Sequence, residues 1–329
     1  MNKSDSERLA AVLEKQNYSQ APSMDRADLV VINMCSVRQS AVDRVFGVSQ
    51  KLAKLKVKNP KLKTALTGCI LISDKKRFAG KFDSIWDNKK FSEIPAKYQA
   101  NGSALIPISH GCDNACAYCA VPFTRGKLVC RDHKKILEEI ENAVGNGARE
   151  IWLLGQNVNN YRSQGINFAK LIKMANDIPG KFSIRFMSPH PKDFSDELIG
   201  AMANCRKITH YLNLPLQSGD NRILRKMGRP YTVEQYKNLV KKIRRKIPDI
   251  NLSTDIIVGF PGETKKQFEN SVKLFREIKF GMAYISRYSP RPGTLAAKMN
   301  DTVSPKEKKR RWKILNNIIL KKNEPQSDT

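Results

Sequence analysis

The first hundred residues alternate between apolar runs with strand spacing and apolar stripes with helical spacing. A capping box at Ser4-x-x-Glu7 predicts that the chain opens directly on a helix. Short apolar runs predict buried strands at 29–32 and 64–66, and the stripe between them predicts a helix over 42–55. This pattern is typical of a small βαβ-like domain, which we expect to close where the composition becomes polar, at 97–102.

The rest of the chain is more regular, with helical stripes between six strand candidates. These strands are predicted at Ala104–Ser109, Glu150–Leu154, Phe182–Met187, Tyr211–Leu216, Leu252–Val258 and Ala283–Tyr288. Strands that alternate with helices imply parallel pairing, and periodicity does not decide between an open doubly wound sheet and a partial barrel. A last helix is predicted from about Pro305 to Lys322, followed by a frayed tail over 323–329.

Composition adds a strong charge signal. The 329 residues carry 59 Lys and Arg against 31 Asp and Glu, a formal net charge of +28. This surplus predicts a polyanionic partner, with nucleic acid ahead of an anionic membrane, although a lysine-rich proteome would also produce it. Basic side chains concentrate at 51–63, 222–250 and 306–322, and each segment is either a solvated helix face or a phosphate-binding surface.

No apolar run is long enough for a signal peptide or a membrane-spanning helix, which favours a cytoplasmic location. The chain has seven cysteines, an odd number. In a reducing cytosol we expect these cysteines to be thiols or metal ligands rather than disulfides.

Cys112, Cys116 and Cys119 follow the first strand of the second block with C-x3-C-x2-C spacing. Three thiolates in one tight loop fit three irons of a cubane iron–sulfur cluster and leave the fourth iron open. The same thiolates could hold zinc if His110 or Cys130 supplied a fourth ligand. The loop follows the carboxyl end of a parallel strand, where folds of this class build active sites, but spacing alone leaves both metals open.

Ordered motifs along the chain resemble one known family, the radical S-adenosylmethionine (SAM) methylthiotransferases. They are Ser109-His110-Gly111-Cys112-Asp113-Asn114-Ala115-Cys116-Ala117-Tyr118-Cys119, Leu153–Asn159, Ser188–Pro191, Leu214–Gly219, Ser253–Glu263 and Tyr288–Thr294. The resemblance implies a cluster rather than zinc on the three cysteines. It also implies an α/β fold with a Rossmann-like methylthiotransferase domain at 1–98, a radical SAM partial (β/α)6 barrel at 99–322 and a disordered tail at 323–329.

Within the family, Gly155-Gln156-Asn157-Val158 resembles the branch that acts on N6-dimethylallyladenosine in tRNA. The activity implied is methylthiolation of C2 of that base at position 37, next to the anticodon. Alternatives are the same chemistry on threonylcarbamoyl-adenosine in tRNA or on a ribosomal-protein aspartate. A rival of another class is a non-catalytic basic RNA-binding protein with a structural metal.

The resemblance also implies cofactors and their contacts. The open iron of the cluster would bind SAM, and reductive cleavage of SAM would give a 5′-deoxyadenosyl radical that removes hydrogen from C2 of the adenine. Residues expected to contact SAM follow the second, fourth and fifth strands: Gly155, Gln156, Asn157, Gln217, Ser218, Val258 and Gly259. At the end of the fifth strand, an apolar wall at Val258 and exposed backbone at Gly259 are expected to hold the adenine of SAM. The basic residues Arg222, Arg225 and Arg229 are expected to follow the tRNA backbone, and Arg291 is expected to contact the substrate.

Cys35 and Cys69 each end a predicted strand of the first domain, so parallel strands would place them on one edge. In the family, three amino-terminal cysteines hold an auxiliary 4Fe–4S cluster tied to sulfur donation, and these two match the second and third. Cys130 and Cys205 match no motif and are expected to be structural.

The chain departs from the family pattern at both ends. It begins with Met1-Asn2 where the family has Gly-Cys-Gln-Met-Asn. We therefore expect a first strand and one auxiliary ligand to be missing, and the RNA-binding TRAM β-barrel to be absent. We expect a gene model begun at an internal Met, or a fragment. The expected partners are the tRNA anticodon stem-loop and an electron donor such as flavodoxin or ferredoxin, and the protein is expected to be a monomer.

Overall fold

The structure, a computed structural model, describes residues 1–87, 94–96, 98 and 102–323. Its first elements are α1 (Asn2–Lys15), β1 (Leu29–Cys35), α2 (Gln39–Lys58), β2 (Lys63–Cys69), α3 (Ile72–Phe78) and β3 (Ser84–Ile85). The three strands form a parallel sheet in the order β1-β2-β3. Helix α2 packs on this sheet through the predicted apolar stripe, with Val42, Val45 and Leu52 buried.

The predicted start of the first helix is wrong. Helix α1 begins at Asn2, no side chain caps it at Met1, and Ser4 lies inside its first turn. The Ser4 hydroxyl is buried and donates a hydrogen bond to the carbonyl oxygen of Leu105 at 2.8 Å. The serine is thus used for a contact with a distant strand, which a local capping pattern does not reveal.

Residues 102–323 form a second unit with alternating strands and helices. Its elements are β4 (Ser103–Pro107), β5 (Ser109–His110), α4 (Val121–Arg125), β6 (Val129–Cys130), α5 (His133–Gly145), β7 (Glu150–Leu154), β8 (Arg162–Ser163), β9 (Ile166–Asn167), α6 (Phe168–Asp177), β10 (Ser183–Phe186), α7 (Asp196–Asn204), β11 (Tyr211–Asn213), α8 (Asn221–Lys226), α9 (Val233–Lys246), β12 (Asn251–Val258), α10 (Lys265–Ile278), β13 (Met282–Arg287) and α11 (Pro305–Asn323).

Six parallel strands follow each other in the order β4-β7-β10 and β11-β12-β13. An isolated parallel bridge links Ile184 of β10 to Ile208, three residues before β11. This arrangement is the expected partial barrel. All six predicted strands are present, although the first prediction, Ala104–Ser109, spans both β4 and the short antiparallel ribbon of β5 with β6.

Apolar and polar residues alternate along the barrel strands, so that each strand has an apolar outer face and a polar inner face. On β7, Ile151 and Leu153 are fully buried in the large core beneath the helices. Glu150 and Trp152, on the opposite face, are half-buried and hydrogen-bonded to each other at 2.7 Å. The barrel interior is therefore polar and open enough to admit ligands at its carboxyl edge.

The last helix, α11, runs one residue further than predicted, to Asn323, and the rest of the predicted tail lies outside the described residues. Among the described helices, none has the length and apolar character needed to span a bilayer.

Buried ion pairs join the two units. Arg8 on α1 pairs with Glu139 on α5, Arg125 pairs with Asp5 at 2.6 Å, and a third pair, between Arg291 and Asp74, spans 3.4 Å. All these side chains are at least nine-tenths buried, so the amino-terminal sheet is held against the barrel by charge pairs shielded from water.

Candidate iron–sulfur and SAM site

The three cysteines of the C-x3-C-x2-C motif lie in the loop between β5 and α4, at the carboxyl edge of the first barrel strand. Cys112, Cys116 and Cys119 line one cavity of about 600 Å³, with Phe123 and Leu295 at its apolar rim. The structure therefore brings the three predicted ligands together around a space that a cluster could fill.

Close backbone contacts fix the shape of this cysteine loop. The Ala117 amide donates to the carbonyl oxygen of Met227 at 2.9 Å. Gly111 has a positive φ of 70°, and a Cβ at this position would lie 2.0 Å from the carbonyl oxygen of Lys127. The loop thus approaches a neighbouring segment so closely that only glycine fits directly before Cys112.

Each of the three thiols accepts a hydrogen bond from an N–H group at 3.5 Å. The donors are the backbone amides of Asn114 for Cys112 and Val121 for Cys119, and the Arg229 guanidinium for Cys116. Such donors stabilise sulfur ligands that carry negative charge.

Burial raises the pKa of the Cys112 thiol, and it raises the pKa of Cys119 to about 11. Burial in this loop therefore favours the neutral form of these two thiols, and metal binding would release protons from them. The donors and the cavity fit a group that binds as thiolate, which is the form an iron–sulfur cluster takes up.

Within the described residues, no three His, Cys, Asp or Glu side chains lie close enough to share one metal ion. This spacing is compatible with a cubane cluster, because each cysteine then binds a different iron and the three sulfurs need not converge on one ion. Of the two residues considered as a fourth zinc ligand, Cys130 lies in the β5–β6 ribbon, where its sulfur accepts the Arg162 amide at 3.4 Å. Burial lowers the pKa of the other, His110, to about 4.

Buried polar atoms without a protein partner collect among the motif residues after the barrel strands. They include Gln156 Oε1, Asn157 Oδ1, His110 Nε2 and His190 Nε2. Buried polar atoms are normally hydrogen-bonded, so this group indicates a polar ligand. Gly155 lies beside them, and a Cβ there would lie 2.7 Å from the Ser109 hydroxyl. The group following the second strand thus fits the polar methionine end of SAM.

The other predicted SAM contacts, at the ends of the fourth and fifth strands, differ from one another in their surroundings. Gln217 takes a positive φ of 74° and bridges to Ile256, so backbone strain is stored at the end of the fourth strand. Ser218 is fully buried and accepts the Asp220 amide at 3.3 Å, as part of the turn into α8.

On the fifth strand, Val258 is buried, as expected of an apolar wall. The Gly259 amide donates to the Glu263 carboxylate at 2.7 Å, and a Cβ on Gly259 would lie 2.4 Å from the Lys308 side chain. The expected exposed backbone at Gly259 is therefore already occupied by protein groups.

The four arginines predicted to bind tRNA or substrate divide into two pairs. Arg222 and Arg225 are exposed on α8 and line a polar cavity of about 480 Å³ together with two lysines, Lys237 and Lys273, and three acidic residues, Asp220, Glu234 and Glu277. The two exposed arginines, rather than the cavity as a whole, are therefore the candidate phosphate contacts.

Arg229 and Arg291 do not fit the roles expected for them. Arg229 is buried and donates to Cys116 and, at 2.8 Å, to the Tyr231 hydroxyl. Arg291 is 4% exposed and reaches the amino-terminal unit, where it donates to the Gln39 side-chain oxygen at 2.5 Å. Both guanidiniums are therefore withdrawn from the surface.

Cys35 and Cys69 end β1 and β2 and are direct neighbours in the parallel register. A hydrogen bond from the Cys69 thiol lowers the pKa of the Cys35 thiol below its ordinary value. The two thiols fit two ligand positions of a cluster, and residues 1–98 contain no other cysteine.

Sequence reasoning missed Arg125, which contacts one of these cysteines, and the acidic residue Asp255. Arg125, at the end of α4, donates to the Cys69 sulfur at 2.9 Å. Asp255 lies on β12, and burial raises the pKa of its carboxyl group. The sequence shows that Arg125 lies six residues after Cys119. It does not show that Arg125 contacts Cys69, because these two residues are 56 positions apart.

Two family models match the chain. Residues 106–275 match the radical SAM superfamily, and residues 1–86 match the uncharacterized protein family UPF0004. A parallel partial barrel with a three-cysteine loop at its carboxyl edge, together with the first match, places the protein in the radical SAM class of enzymes.

Comparison with curated relatives shows which family within this class the chain belongs to. The tRNA-2-methylthio-N(6)-dimethylallyladenosine synthase of Clostridium novyi (strain NT) is 40% identical, with 98% of this chain and 80% of the relative covered. The synthase of the same name from Endomicrobium trichonymphae is 42% identical, with 96% and 80% covered. The chain belongs to the family of tRNA-2-methylthio-N6-dimethylallyladenosine synthases, and it is a radical SAM methylthiotransferase.

Solved structures share the fold at low identity. The cobalamin-dependent SAM radical enzyme OxsB superposes with a TM-score of 0.59 at 12% identity, covering 96% of this chain and 53% of that chain. Coproporphyrinogen III oxidase (HemN) from Escherichia coli gives a TM-score of 0.52 at 17% identity, with 69% and 54% covered. These similarities support the barrel architecture alone.

Proposed function

We propose that this protein adds a methylthio group to C2 of N6-dimethylallyladenosine at position 37 of tRNA, next to the anticodon. The observation that carries the proposal is the identity of about 40% to synthases of this name over nearly the whole chain. The cysteine cavity and the unpartnered polar atoms beside it supply a place for the cofactors that such chemistry needs.

The cysteine loop would hold a 4Fe–4S cluster through Cys112, Cys116 and Cys119. When bound, the cluster and SAM supply the radical that removes a hydrogen atom from the substrate carbon. The chain's own residues position these groups: Arg229 donates to the Cys116 sulfur, and Gln156 and Asn157 offer acceptor oxygens for the SAM amine. The apolar rim of Phe123 and Leu295 limits access of water.

Cys35 and Cys69 would supply two ligands of the auxiliary cluster that the family ties to sulfur donation. Their adjacent register and the lowered pKa of Cys35 support this role. We also propose a boundary between the two domains near 98/99, which agrees with the separate ranges of the two family matches.

The tRNA would bind through exposed basic side chains. The buried charges of the described residues nearly cancel, with seven basic against five acidic side chains, so the surplus of +28 lies almost wholly elsewhere. Arg222 and Arg225, at the polar cavity on α8, are candidate phosphate contacts. We further propose that the protein acts as a cytoplasmic monomer supplied with electrons by a flavodoxin or ferredoxin.

The test is anaerobic reconstitution with iron and sulfide, followed by reaction with SAM, a reductant and an anticodon stem-loop that carries N6-dimethylallyladenosine. Mass spectrometry of the digested RNA should show the 2-methylthio nucleoside, and chromatography should show 5′-deoxyadenosine. Cys116→Ser should abolish both products, whereas Cys130→Ser, a matched change outside the site, should retain them. Products only with a threonylcarbamoyl-adenosine stem-loop would redirect the proposal to that substrate.

A further inference from the structure

One buried arginine lies between the two sets of cysteines. Arg125 ends helix α4, which begins two residues after Cys119, and its side chain is 4% exposed. Its Nε donates to the Cys69 sulfur at 2.9 Å, while Nη2 pairs with the Asp5 carboxylate at 2.6 Å. A second contact of Nη2, with the Asn2 side-chain oxygen at 3.2 Å, completes the orientation of the guanidinium.

The next residue binds the other set of cysteines. The carbonyl oxygen of Gly126 accepts the Cys112 amide at 3.2 Å. A Cβ on Gly111 would lie 2.5 Å from this carbonyl, so the two segments are in tight contact. Two adjacent residues, Arg125 and Gly126, therefore connect the Cys69 sulfur directly to the backbone of Cys112.

We propose that Arg125 is a positioning residue that fixes Cys69, and the sulfur-donor site it belongs to, relative to the radical-forming cysteine loop. This inference rests on the proposed function, in which sulfur from one site must reach a carbon activated at the other. Displacing a reacting group by about 1 Å can reduce a rate by about a hundredfold, so the separation of the two sites requires a rigid support.

Other arginines that join the two units differ from Arg125 in their partners. Arg8 pairs with Glu139, and Arg291 pairs with Asp74 and Gln39, and neither donates to a cysteine. If the interface needed only ion pairs, the contacts of Arg8 and Arg291 would be sufficient to hold the two units together. Arg8→Met is therefore a matched control, because it removes a buried arginine from the same interface whose partners, Glu139 and the Ile94 carbonyl oxygen, are not cysteines.

The first measurement compares two products in Arg125→Met, Arg125→Lys and Arg8→Met. In Arg125→Met we expect the ratio of 5′-deoxyadenosine to methylthiolated nucleoside to rise by about tenfold or more, since radical formation continues without correctly placed sulfur. Arg125→Lys retains the charge but not the fixed fork of donors, so it should restore the ratio only in part. Arg8→Met should leave the ratio within about twofold of the unmodified protein.

The second measurement needs no cofactor. Hydrogen exchange of the cluster-free protein should become about fivefold faster in Arg125→Met both at residues 66–72 and at residues 109–116, because the connection between them is lost. Arg8→Met should leave exchange in these two segments unchanged.

Three results would overturn the proposal: a parallel fall of both products in Arg125→Met, equal effects of the two Met variants, or unchanged exchange at either segment. If the unmodified protein forms 5′-deoxyadenosine but no methylthiolated nucleoside, the proposed function fails. In that case hydrogen exchange alone tests the role of Arg125. Faster exchange in both segments of Arg125→Met would support the positioning role, and faster exchange in only one segment would contradict it.

Discussion

Glu139 on α5 neutralises two buried arginines at once. Its carboxylate binds Arg8 of the amino-terminal unit and, at 2.6 Å, Arg131 of the barrel unit, and it accepts the Tyr98 hydroxyl. Glu139 is 2% exposed, and Arg8 is completely buried. We predict that Glu139→Gln, which keeps the side chain's size and removes its charge, weakens the attachment of the two units.

The magnitude follows from the partners that remain. Breaking a buried ion pair by removing one partner costs about 3–5 kcal/mol, because the other charge stays buried without compensation. Both guanidiniums keep a carbonyl acceptor, Ile94 for Arg8 at 2.5 Å and Pro107 for Arg131 at 2.6 Å. The glutamine also retains one acceptor oxygen. We therefore expect a total loss of about 3–5 kcal/mol rather than twice that amount.

Urea unfolding at neutral pH, followed by circular dichroism, measures this loss as a fall in the transition midpoint. Glu138→Gln is the control, since Glu138 is the preceding residue on the same helix, is exposed, and should change stability by less than about 0.5 kcal/mol. A loss below about 1 kcal/mol in Glu139→Gln, or equal losses in the two variants, would show that the buried carboxylate does not carry the interface.

Three further predictions concern the site and the surface. Arg229→Gln removes a positive charge that donates to Cys116, so an electrochemical titration followed by electron paramagnetic resonance should show a lower cluster reduction potential, and an unchanged potential contradicts the assigned contact. Burial lowers the pKa of His190 to about 3, below the ordinary value of about 6.5, so the unfolded state takes up a proton first and stability falls as pH falls from 6.5 towards 3. His190→Gln should reduce this fall in urea titrations at pH 7.5 and 5, and equal falls would refute the assignment. Arg222→Gln combined with Arg225→Gln should weaken stem-loop binding and reduce the slope of log affinity against log salt by about 2, whereas an unchanged slope places the phosphates elsewhere.

The sequence predicts the barrel strands and the cysteine loop because both depend on local patterns. The run Glu150–Leu154 is a strand with the predicted bounds, since alternation of buried and half-buried residues is encoded directly in it. The start of α1 was misplaced because Ser4 serves a contact 101 residues away. Local patterns contain no information about such partners, and the same limit hid Arg125 and its bond to Cys69.

Arg225 and Arg229 illustrate this limit within a single basic segment. They lie four residues apart, and charge density alone assigns both to a phosphate-binding surface. Helix α8 ends at Lys226, and Gly228, with a positive φ of 68°, turns the chain against the cysteine loop, where a Cβ would lie 2.6 Å from the Ala115 carbonyl oxygen. That turn sends Arg229 inward to Cys116 and leaves Arg225 in solvent. The conformation of one glycine therefore decides which arginine is available to RNA and which supports the cluster site, and a count of charges cannot distinguish the two roles.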